Sequence, residues 1–134
     1  MQHEAPSRRS QPEQLRVLLI DDHEVSRAAC QALLRTEGIN VVADLPVGED
    51  ALAAAVELHP DAAILDVTPN DEHALQLARR LGSLRRPPTV VLTSSASRTV
   101  LDTKLDGLPF IAKSDLCSSE ILTAIRRYQD TGSL

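Results

Sequence analysis

The sequence predicts an α/β fold, in which a parallel sheet of five strands carries helices on both faces. Short runs rich in Val, Leu, Ile and Ala alternate along the chain with segments of helical period. The apolar runs are nearly continuous, which is typical of strands buried on both faces. A chain of 134 residues is long enough for one domain with a real core. Strands that alternate with helices imply right-handed crossovers between parallel strands.

The first half of the structured chain predicts two strands and two helices in alternation: a strand at 16–21, a helix at 24–36, a strand at 39–45 and a helix at 49–59. In the first helix the apolar residues form one helical stripe, namely Val25, Ala28, Ala29, Ala32 and Leu33. Gly38 occupies the position at which a glycine commonly ends a helix. Pro60 stops the second helix.

The second half continues the alternation and predicts three strands and three helices: strands at 62–67, 89–93 and 108–113, and helices at about 72–81, 98–106 and 119–128. The helix at 98–106 contains Thr99 and Thr103, which are modest helix formers, and has few apolar contacts. We expect it to be the shortest and least stable of the five predicted helices.

Composition and charge exclude several classes of protein. The net charge of −5 and a pI near 5.3 argue against direct nucleic-acid binding by this segment. No run approaches the roughly 20 apolar residues of a membrane span, and the polar start of the chain has no secretory signal pattern. Cys30 and Cys117 lack metal-ligand spacing and are interpreted as free thiols. A cytoplasmic location is therefore predicted.

The same patterns predict the organisation of the chain. Residues 1–14 hold Gln, Pro, Ser, Arg and Glu without apolar periodicity, so we expect a disordered tail. Residues 15–130 form the predicted domain, and residues 131–134 are expected to be a C-terminal tail or the start of a linker.

Four of the predicted strands end on polar residues that chemistry could use. The first runs into Asp21-Asp22, the third into Asp66, the fourth into Thr93-Ser94 and the fifth into Lys113. Ligands of open α/β sheets bind at the carboxyl edge of the strands, where these residues would meet. Carboxylates suit Mg²⁺, an ammonium neutralises phosphoryl charge, and an aspartate can be the nucleophile. The sequence therefore predicts a magnesium-assisted phosphoryl-accepting site with Asp66 as the acceptor.

Each of these residues also has a simpler interpretation. Asp21-Asp22 could cap the first helix, and Asp66 could be an ordinary loop residue. Thr93 could serve a turn, Lys113 could be solvated, and Phe110 could be a core residue. The coincidence of suitable residues at four strand ends favours a site. Three histidines show no ligand spacing and are assigned no role: His23, His59 and His73.

The ordered set of strand-end motifs resembles the receiver domain of bacterial two-component response regulators. The resemblance covers residues 15 to about 128 and rests on the segments Val17–His23, Ile64–Asp66, Val91–Ser94 and Phe110–Lys113. It implies a five-stranded doubly wound sheet of flavodoxin-like strand order 2-1-3-4-5. It also implies phosphorylation by a sensor histidine kinase or a phosphotransfer protein. The segment 21–27 looks most like regulators that carry a C-terminal helix-turn-helix and control transcription.

The resemblance also implies a role for each matching residue. Asp66 matches the phosphoacceptor, Asp22 a direct Mg²⁺ ligand, and Asp21 a neighbour that reaches the ion through water. Thr68 matches the position whose backbone carbonyl binds the ion. Thr93 matches the switch hydroxyl and Lys113 the lysine that pairs with the phosphoryl group. Phe110 matches the aromatic residue that rotates inward on activation.

Several positions depart from the family pattern. The loop after Asp66 has its proline one place early, at Pro69, and has Ala74 where a glycine is usual. The interval from Thr93 to Lys113 is about two residues short. Ser114 and Pro109 stand where a proline and a glycine, respectively, are common.

Three hypotheses follow for the function. The first is a phosphorylation-dependent switch that presents a face to a second receiver or an output domain outside this segment. The second is a degenerate receiver that acts as a phosphorylation-independent interaction module. The third is a phosphohydrolase, which is disfavoured because Thr68 stands where such enzymes carry a second acid. We therefore expect that the chain is not an enzyme but a phosphoacceptor switch that assists its own phosphorylation and dephosphorylation.

Overall fold

A computed structural model of the chain describes residues 15–68, 71–94 and 108–132, with side chains as far as Arg127. Its sheet has five parallel strands: β1 (Arg16–Ile20), β2 (Asn40–Leu45), β3 (Ala62–Asp66), β4 (Thr89–Ser94) and β5 (Phe110–Ala112). The strand order is β2-β1-β3-β4-β5. The predicted fold class and strand order are confirmed.

The described residues form four α-helices: α1 (Glu24–Thr36), α2 (Glu49–Leu58), α3 (Glu72–Gly82) and α4 (Ser118–Gly132). A single 3₁₀ turn, Lys113–Asp115, lies between β5 and α4. The predicted helix at 98–106 falls in residues 95–107, outside the described residues, as do the predicted tail at 1–14 and residues 133–134 of the predicted C-terminal segment.

Two apolar layers hold the helices against the sheet. Alternate strand residues point to opposite faces, so Leu18 and Leu65 pack with α2 and α3, while Leu19 and Ile64 pack with α1 and α4. All four side chains are at most 1% exposed. The central strands are thus buried on both faces, which explains their continuous apolar runs.

The predicted ends of α1, α2 and α3 agree with the structure to within one residue, whereas α4 extends to Gly132 instead of 128 and the fifth strand is shorter than predicted. Gly38 follows α1 with a left-handed φ of 80°, as expected of a glycine that ends a helix. β5 begins at Phe110 rather than Leu108. Pro109 has no N–H and contributes only its carbonyl, which accepts from the N–H of Leu92 at 2.9 Å. The 3₁₀ turn then removes Lys113 from the strand.

The apolar stripe of α1 does not face the sheet. The helix buries Cys30 and Leu34 and turns the half-buried polar residues Ser26, Arg27 and Gln31 in the same direction. Its apolar stripe is exposed instead, with Val25 at 85% and Leu33 at 43%. Three alanines complete this stripe, and they are exposed as well: Ala28, Ala29 and Ala32.

Within the described residues, no helix combines the length and the apolar character that crossing a membrane would need.

Candidate functional site

The carboxyl edge of the sheet brings together several of the predicted site residues. Asp21 directly follows β1, Asp66 ends β3, and Lys113 directly follows β5. Thr93 on β4 is the register partner of Asp66, and Ile111 on β5 is the register partner of Thr93. In-register parallel strands place partner side chains on the same face of the sheet, so Thr93 lies beside Asp66.

Lys113 is the centre of the charge cluster. Its Nζ lies 3.1 Å from Asp66 Oδ1 and 3.7 Å from Asp21 Oδ2. Both carboxylates are buried, with Asp21 1% and Asp66 8% exposed, whereas the lysine side chain is 27% exposed. One ammonium therefore faces two buried carboxylates, and the group keeps a net negative charge.

Ser26 connects the ammonium to the second carboxylate. Its hydroxyl accepts from Lys113 Nζ at 2.6 Å and donates to Asp21 Oδ2 at 2.8 Å. The hydroxyl thus bridges the ammonium and the carboxylate and gives each of them a hydrogen bond. The site therefore includes a residue on the first turn of α1 in addition to the residues at the strand ends.

His23 lies on the other side of the carboxylate pair. Its Nδ1 is 3.4 Å from Asp21 Oδ1 and 3.9 Å from Asp66 Oδ2, and its side chain is 68% exposed. The His23 backbone N–H also donates to Asp21 Oδ1 at 2.9 Å. Ligand atoms of Asp21, His23 and Asp66 all lie within 4.8 Å of one another, so this cluster could hold a metal ion.

The two carboxylates differ in their acidity. Burial raises the pKa of Asp66, and the negative charge of Asp21 raises it further, against the opposing effect of Lys113. Burial also acts to raise the pKa of Asp21. In that case the hydrogen bonds from the His23 N–H and from Ser26, together with the charge of Lys113, outweigh burial and lower the pKa. At neutral pH, Asp21 is thus the more firmly ionised member of the pair.

Thr93 contributes a hydroxyl with no partner. The residue is 1% exposed, and its Oγ1 is the one buried side-chain oxygen or nitrogen within the described ranges that makes no hydrogen bond. A buried polar atom without a partner is costly, at about 1–3 kcal/mol. Because Thr93 lies beside Asp66, a ligand oxygen bound at Asp66 would give this hydroxyl the acceptor that it lacks.

Three other predicted residues lie apart from this cluster. Asp22 is exposed, and its Oδ1 accepts from the N–H of Val47 at 2.7 Å. Thr68 is also exposed, and its carbonyl accepts from the N–H of Asp71 at 3.1 Å. Phe110 is half-buried and packs against the apolar layer between the sheet and helices α2 and α3.

Asp22 faces a separate cleft of about 320 Å³ between α2 and α3. Glu49 and Arg80 line this cleft and form an exposed ion pair, with Arg80 Nη1 2.6 Å from Glu49 Oε2. His73 is a further lining residue. Asp21 and Asp22, adjacent in the sequence, therefore point to different places: Asp21 into the charge cluster with Lys113 and Asp22 into this cleft.

A polar brace behind the site fixes the loop that carries Asp21. Arg27 Nη1 donates to the Asp21 carbonyl at 2.7 Å, and its Nε donates to Asp44 Oδ1 at 3.2 Å. Gln31 donates to the other oxygen of Asp44 at 2.5 Å. This brace explains why the polar side of α1 faces inward.

Sequence reasoning missed two residues of the site, His23 and Ser26. His23 directly follows the Asp21-Asp22 pair, and that adjacency was the available signal. Ser26 lies five residues after Asp21, which matches no ligand or capping pattern. Its role depends on α1 turning its polar side toward Lys113.

Comparisons with known proteins agree with this fold. The family model of the response regulator receiver domain matches residues 17–116. The sensory transduction protein LytT of Bacillus cereus is 26% identical over 117 residues, which cover 86% of this chain and 47% of LytT. The transcriptional regulatory protein PdtaR of Mycobacterium tuberculosis is 31% identical over 126 residues, covering 89% of this chain and 60% of PdtaR.

A solved structure gives the same result. The signal receiver domain of NarL from Mycobacterium tuberculosis is 30% identical, with a TM-score of 0.65 over 87% of this chain and 96% of that domain. The present chain thus spans about half of LytT and three-fifths of PdtaR, but nearly all of the isolated NarL domain. The chain belongs to the response regulator receiver domain family of two-component systems.

Proposed function

We propose that this chain is a phosphorylation-dependent switch in which Asp66 accepts a phosphoryl group, with Mg²⁺ bound beside it. The donor is a phosphohistidine of a sensor histidine kinase or a phosphotransfer protein. One observation carries the proposal. The buried Asp66 carboxylate lies 3.1 Å from the ammonium of Lys113 and beside the unpartnered, buried hydroxyl of Thr93. A carboxylate, a cation and a free donor are the groups that this transfer requires.

The transfer forms one bond and breaks one. An oxygen of Asp66 forms the new bond to phosphorus while the bond from phosphorus to the donor imidazole nitrogen breaks, and the imidazole keeps the electron pair. Lys113 neutralises charge on the phosphoryl oxygens as a point charge. The Thr93 hydroxyl then donates a hydrogen bond to a phosphoryl oxygen, which removes the free-energy cost of leaving this hydroxyl without a partner.

The residues at the site suit a hard divalent cation. Asp21 and Asp66 supply carboxylate oxygens, which are ligands that Mg²⁺ accepts. The backbone carbonyl of Thr68, which lies apart from this cluster and accepts from the N–H of Asp71, has to move toward the ion to become a ligand. Asp22 joins this set only by giving up its hydrogen bond to Val47. When bound, Mg²⁺ neutralises part of the negative charge of the acceptor and the phosphoryl group.

The signal leaves the site through the neighbouring strands. As Thr93 moves toward the phosphoryl group, Phe110 rotates inward and the surface formed by β5 and α4 changes shape. The predicted helix at 98–106 lies outside the described residues. The reshaped surface binds a second receiver or an output domain, through which transcription is controlled. Such a switch requires the phosphoryl group to contact the two states unequally.

The exposed apolar stripe of α1 is the proposed docking surface for the donor protein. A phosphohistidine can reach Asp66 only if the protein that carries it covers the surface around the site. The stripe begins at Val25, two residues after His23, and extends along the helix to Leu33. Exposed apolar stripes commonly mark protein contacts, and an apolar helix of the donor would be complementary to this one.

The protein acts as a regulator in the cytoplasm and assists its own phosphorylation and dephosphorylation, with no turnover of other substrates. Its binding surfaces are for proteins and not for nucleic acid or membrane. These statements rest on the acidic charge of the chain and on its membership of the receiver family.

Intact-mass measurement tests the proposal. The protein is incubated with Mg²⁺ and acetyl phosphate, and a mass gain of one phosphoryl group is expected. Asp66→Asn should abolish the gain, whereas the matched control Asp115→Asn, at an exposed carboxylate, should keep it. Absence of the gain in the wild type, or an equal gain in Asp66→Asn, would refute the proposal.

A degenerate receiver, which binds partners without phosphorylation, is the second candidate. The position of Asp22 favours it, because the predicted direct Mg²⁺ ligand is exposed and hydrogen-bonded to Val47. A Mg²⁺ titration followed by NMR separates the two candidates. The switch requires resonances of the strand ends to shift with saturation, and loss of that response in Asp21→Asn. A flat titration would favour the degenerate receiver.

A further inference from the structure

We propose that His23 is a third protein ligand of the cation site, and that it biases the site toward ions that accept nitrogen ligands, such as Zn²⁺ and Co²⁺, relative to Mg²⁺. The inference deepens the proposed function, because it concerns the ion that is bound beside Asp66. His23 was assigned no role from the sequence, and its position beside both carboxylates is a finding of the structure.

The four carboxylate oxygens are divided between two sides. Asp21 Oδ2 and Asp66 Oδ1 face Lys113, which lies 3.7 and 3.1 Å from them. Asp21 Oδ1 and Asp66 Oδ2 face His23 Nδ1, at 3.4 and 3.9 Å. The lysine already supplies the cation on its own side. A second cation therefore has its place on the side of His23, which one oxygen of each carboxylate faces. Asp21 Oδ1 also accepts from the His23 backbone N–H there and would use its second lone pair for the ion.

The charge of the cluster supports a cation in that position. Two buried carboxylates carry two negative charges, and Lys113 offsets only one of them. The like charges of Asp21 and Asp66 repel each other across a poorly solvated site. A divalent ion between them removes this repulsion, and the exposed His23 ring can approach it without being buried.

The geometry also fits a metal ion that takes one nitrogen and two oxygens. Ligand atoms that bind one ion at about 2.0–2.2 Å are themselves about 3–4 Å apart. The separations from His23 Nδ1 to the two oxygens lie in this range, and the three residues together offer one ligand atom each within 4.8 Å of one another.

Ligand chemistry determines which ions benefit from His23. Imidazole is a good ligand for Zn²⁺ and related transition metals, whereas Mg²⁺ prefers oxygen ligands and retains several waters. The position of Asp22 sharpens the contrast, since its carboxylate is occupied by the Val47 N–H and faces the cleft between α2 and α3. The described side chains around the ion are thus two carboxylates and one imidazole.

The test measures metal affinity without any phosphodonor, by calorimetric titration with Zn²⁺, Co²⁺ and Mg²⁺. Every variant carries His3→Ala, so that no signal comes from a histidine outside the described residues. His23→Asn should weaken Zn²⁺ and Co²⁺ binding at least about tenfold, the lower end of what even an outer partner costs. It should leave Mg²⁺ affinity nearly unchanged. His73→Asn, at an exposed histidine of the other cleft, is the matched control and should change neither.

Histidine ¹⁵N spectra give a second readout that a structural role would not produce. Zn²⁺ should shift the Nδ1 resonance of His23, identified by its absence in His23→Asn, at the concentration that saturates the calorimetric signal. Unchanged Zn²⁺ affinity in His23→Asn, or equal losses in His23→Asn and His73→Asn, would overturn the inference.

The two proposals can fail separately. If acetyl phosphate modifies Asp66 but His23→Asn leaves Zn²⁺ affinity unchanged, the proposed function holds and this inference is wrong. If Zn²⁺ shifts the Nδ1 of His23 but Asp66 takes up no phosphoryl group, the inference holds and the proposed function is wrong.

Discussion

Helices α1 and α3 differ in the side that they turn inward, because α1 adds half-buried polar residues to its buried Cys30 and Leu34. In α3 the buried residues are all apolar and lie on one stripe: Ala74, Leu75, Leu77, Ala78 and Leu81. In α1 the apolar stripe that contains Val25 and Leu33 faces solvent, while Ser26 and Arg27 face the sheet edge. Periodicity reveals a stripe, but the contacts made by the other side decide which way the helix faces.

The reason lies in what each helix must supply. Helix α3 covers one face of the sheet and only has to pack its apolar side against that face. Helix α1 also carries Ser26 and Arg27, which hold Lys113, Asp21 and the Asp21 loop in place. Those polar contacts, together with the burial of Leu34, fix its orientation.

The largest expected effect of a substitution is in the core side of α3. Leu81 is fully buried, so Leu81→Ala should lower the free energy of unfolding by about 2–5 kcal/mol, through lost transfer energy and a cavity. Leu33→Ala on α1, where the side chain is 43% exposed, should cost less than about 1 kcal/mol. Urea denaturation followed by circular dichroism measures both. Similar losses would contradict the described orientation of α1.

The second-largest effect on stability is expected from a substitution on the polar side of α1. Arg27→Met removes the donor of the Asp21 carbonyl and the cation beside the half-buried Asp44 carboxylate, which keeps only its hydrogen bond from Gln31 among the contacts of this brace. We expect a loss of about 1–3 kcal/mol in the free energy of unfolding. Arg27→Met combined with Asp44→Asn should recover part of the loss, because the unpaired charge is removed. The exposed Arg35→Met on the same helix is the control. Equal effects of Arg27→Met and Arg35→Met would show that the brace contributes nothing.

Ser26→Ala should give a smaller, pH-dependent effect in metal-free buffer. The Ser26 hydrogen bond helps to lower the pKa of Asp21 below 3.8. A group with a lowered pKa in the folded state adds stability above its unfolded pKa, and that stability is lost as the pH falls through the folded pKa. Ser26→Ala should therefore cost about 1 kcal/mol at pH 7.

The stability difference between wild type and Ser26→Ala should shrink below pH 3.8, as Asp21 is protonated in both proteins. Ser83→Ala at the end of α3, where the hydroxyl donates to the neutral carbonyl of Arg79, provides the comparison. Its cost should not change with pH over this interval. Parallel pH profiles for the two variants would count against the Ser26–Asp21 link.

The smallest effect on stability is expected on the exposed stripe of α1. Leu33→Lys should change the free energy of unfolding by less than about 0.5 kcal/mol. It should also slow phosphoryl transfer from a phosphohistidine protein while leaving the reaction with acetyl phosphate unchanged. Val56→Lys on α2, where the side chain is 53% exposed, is the matched control and should affect neither reaction. Equal rates of phosphoryl transfer from the protein donor to Leu33→Lys and to Val56→Lys would rule out α1 as the docking surface.

The fold and the gathering of the strand ends could be predicted because both depend on the order of elements along the chain. Once β1, β3, β4 and β5 are parallel neighbours, Asp21, Asp66, Thr93 and Lys113 must meet at one edge. The direction of each side chain could not be predicted in this way. Asp22 turns away because the Val47 N–H, 25 residues later, offers it a hydrogen bond.

The orientation of α1 and the role of Ser26 were hidden for the same reason. The role of Ser26 depends on Lys113, 87 residues later in the chain, and the orientation of α1 also depends on Asp44, 17 residues after Arg27. No local pattern encodes either contact. The end of β5 was only partly predictable, since Pro109 removes a donor but the 3₁₀ turn at Lys113 has no comparable signal. Long-range polar contacts therefore account for most of what the sequence left open.

A single carboxylate at the end of α1 serves a helix from the other end of the chain. Glu37 Oε1 accepts from the backbone N–H and the hydroxyl of Ser118, at 3.2 and 3.3 Å, in the first turn of α4. A partner that pulls the end of α1 outward thereby uncaps α4, at a cost of about 0.5–2 kcal/mol. Thermodynamic reciprocity requires that a shift of α4 alter the affinity for that partner equally. Glu37 and Ser118 are 81 residues apart in sequence, so this contact connects the end of α1 directly to the start of α4.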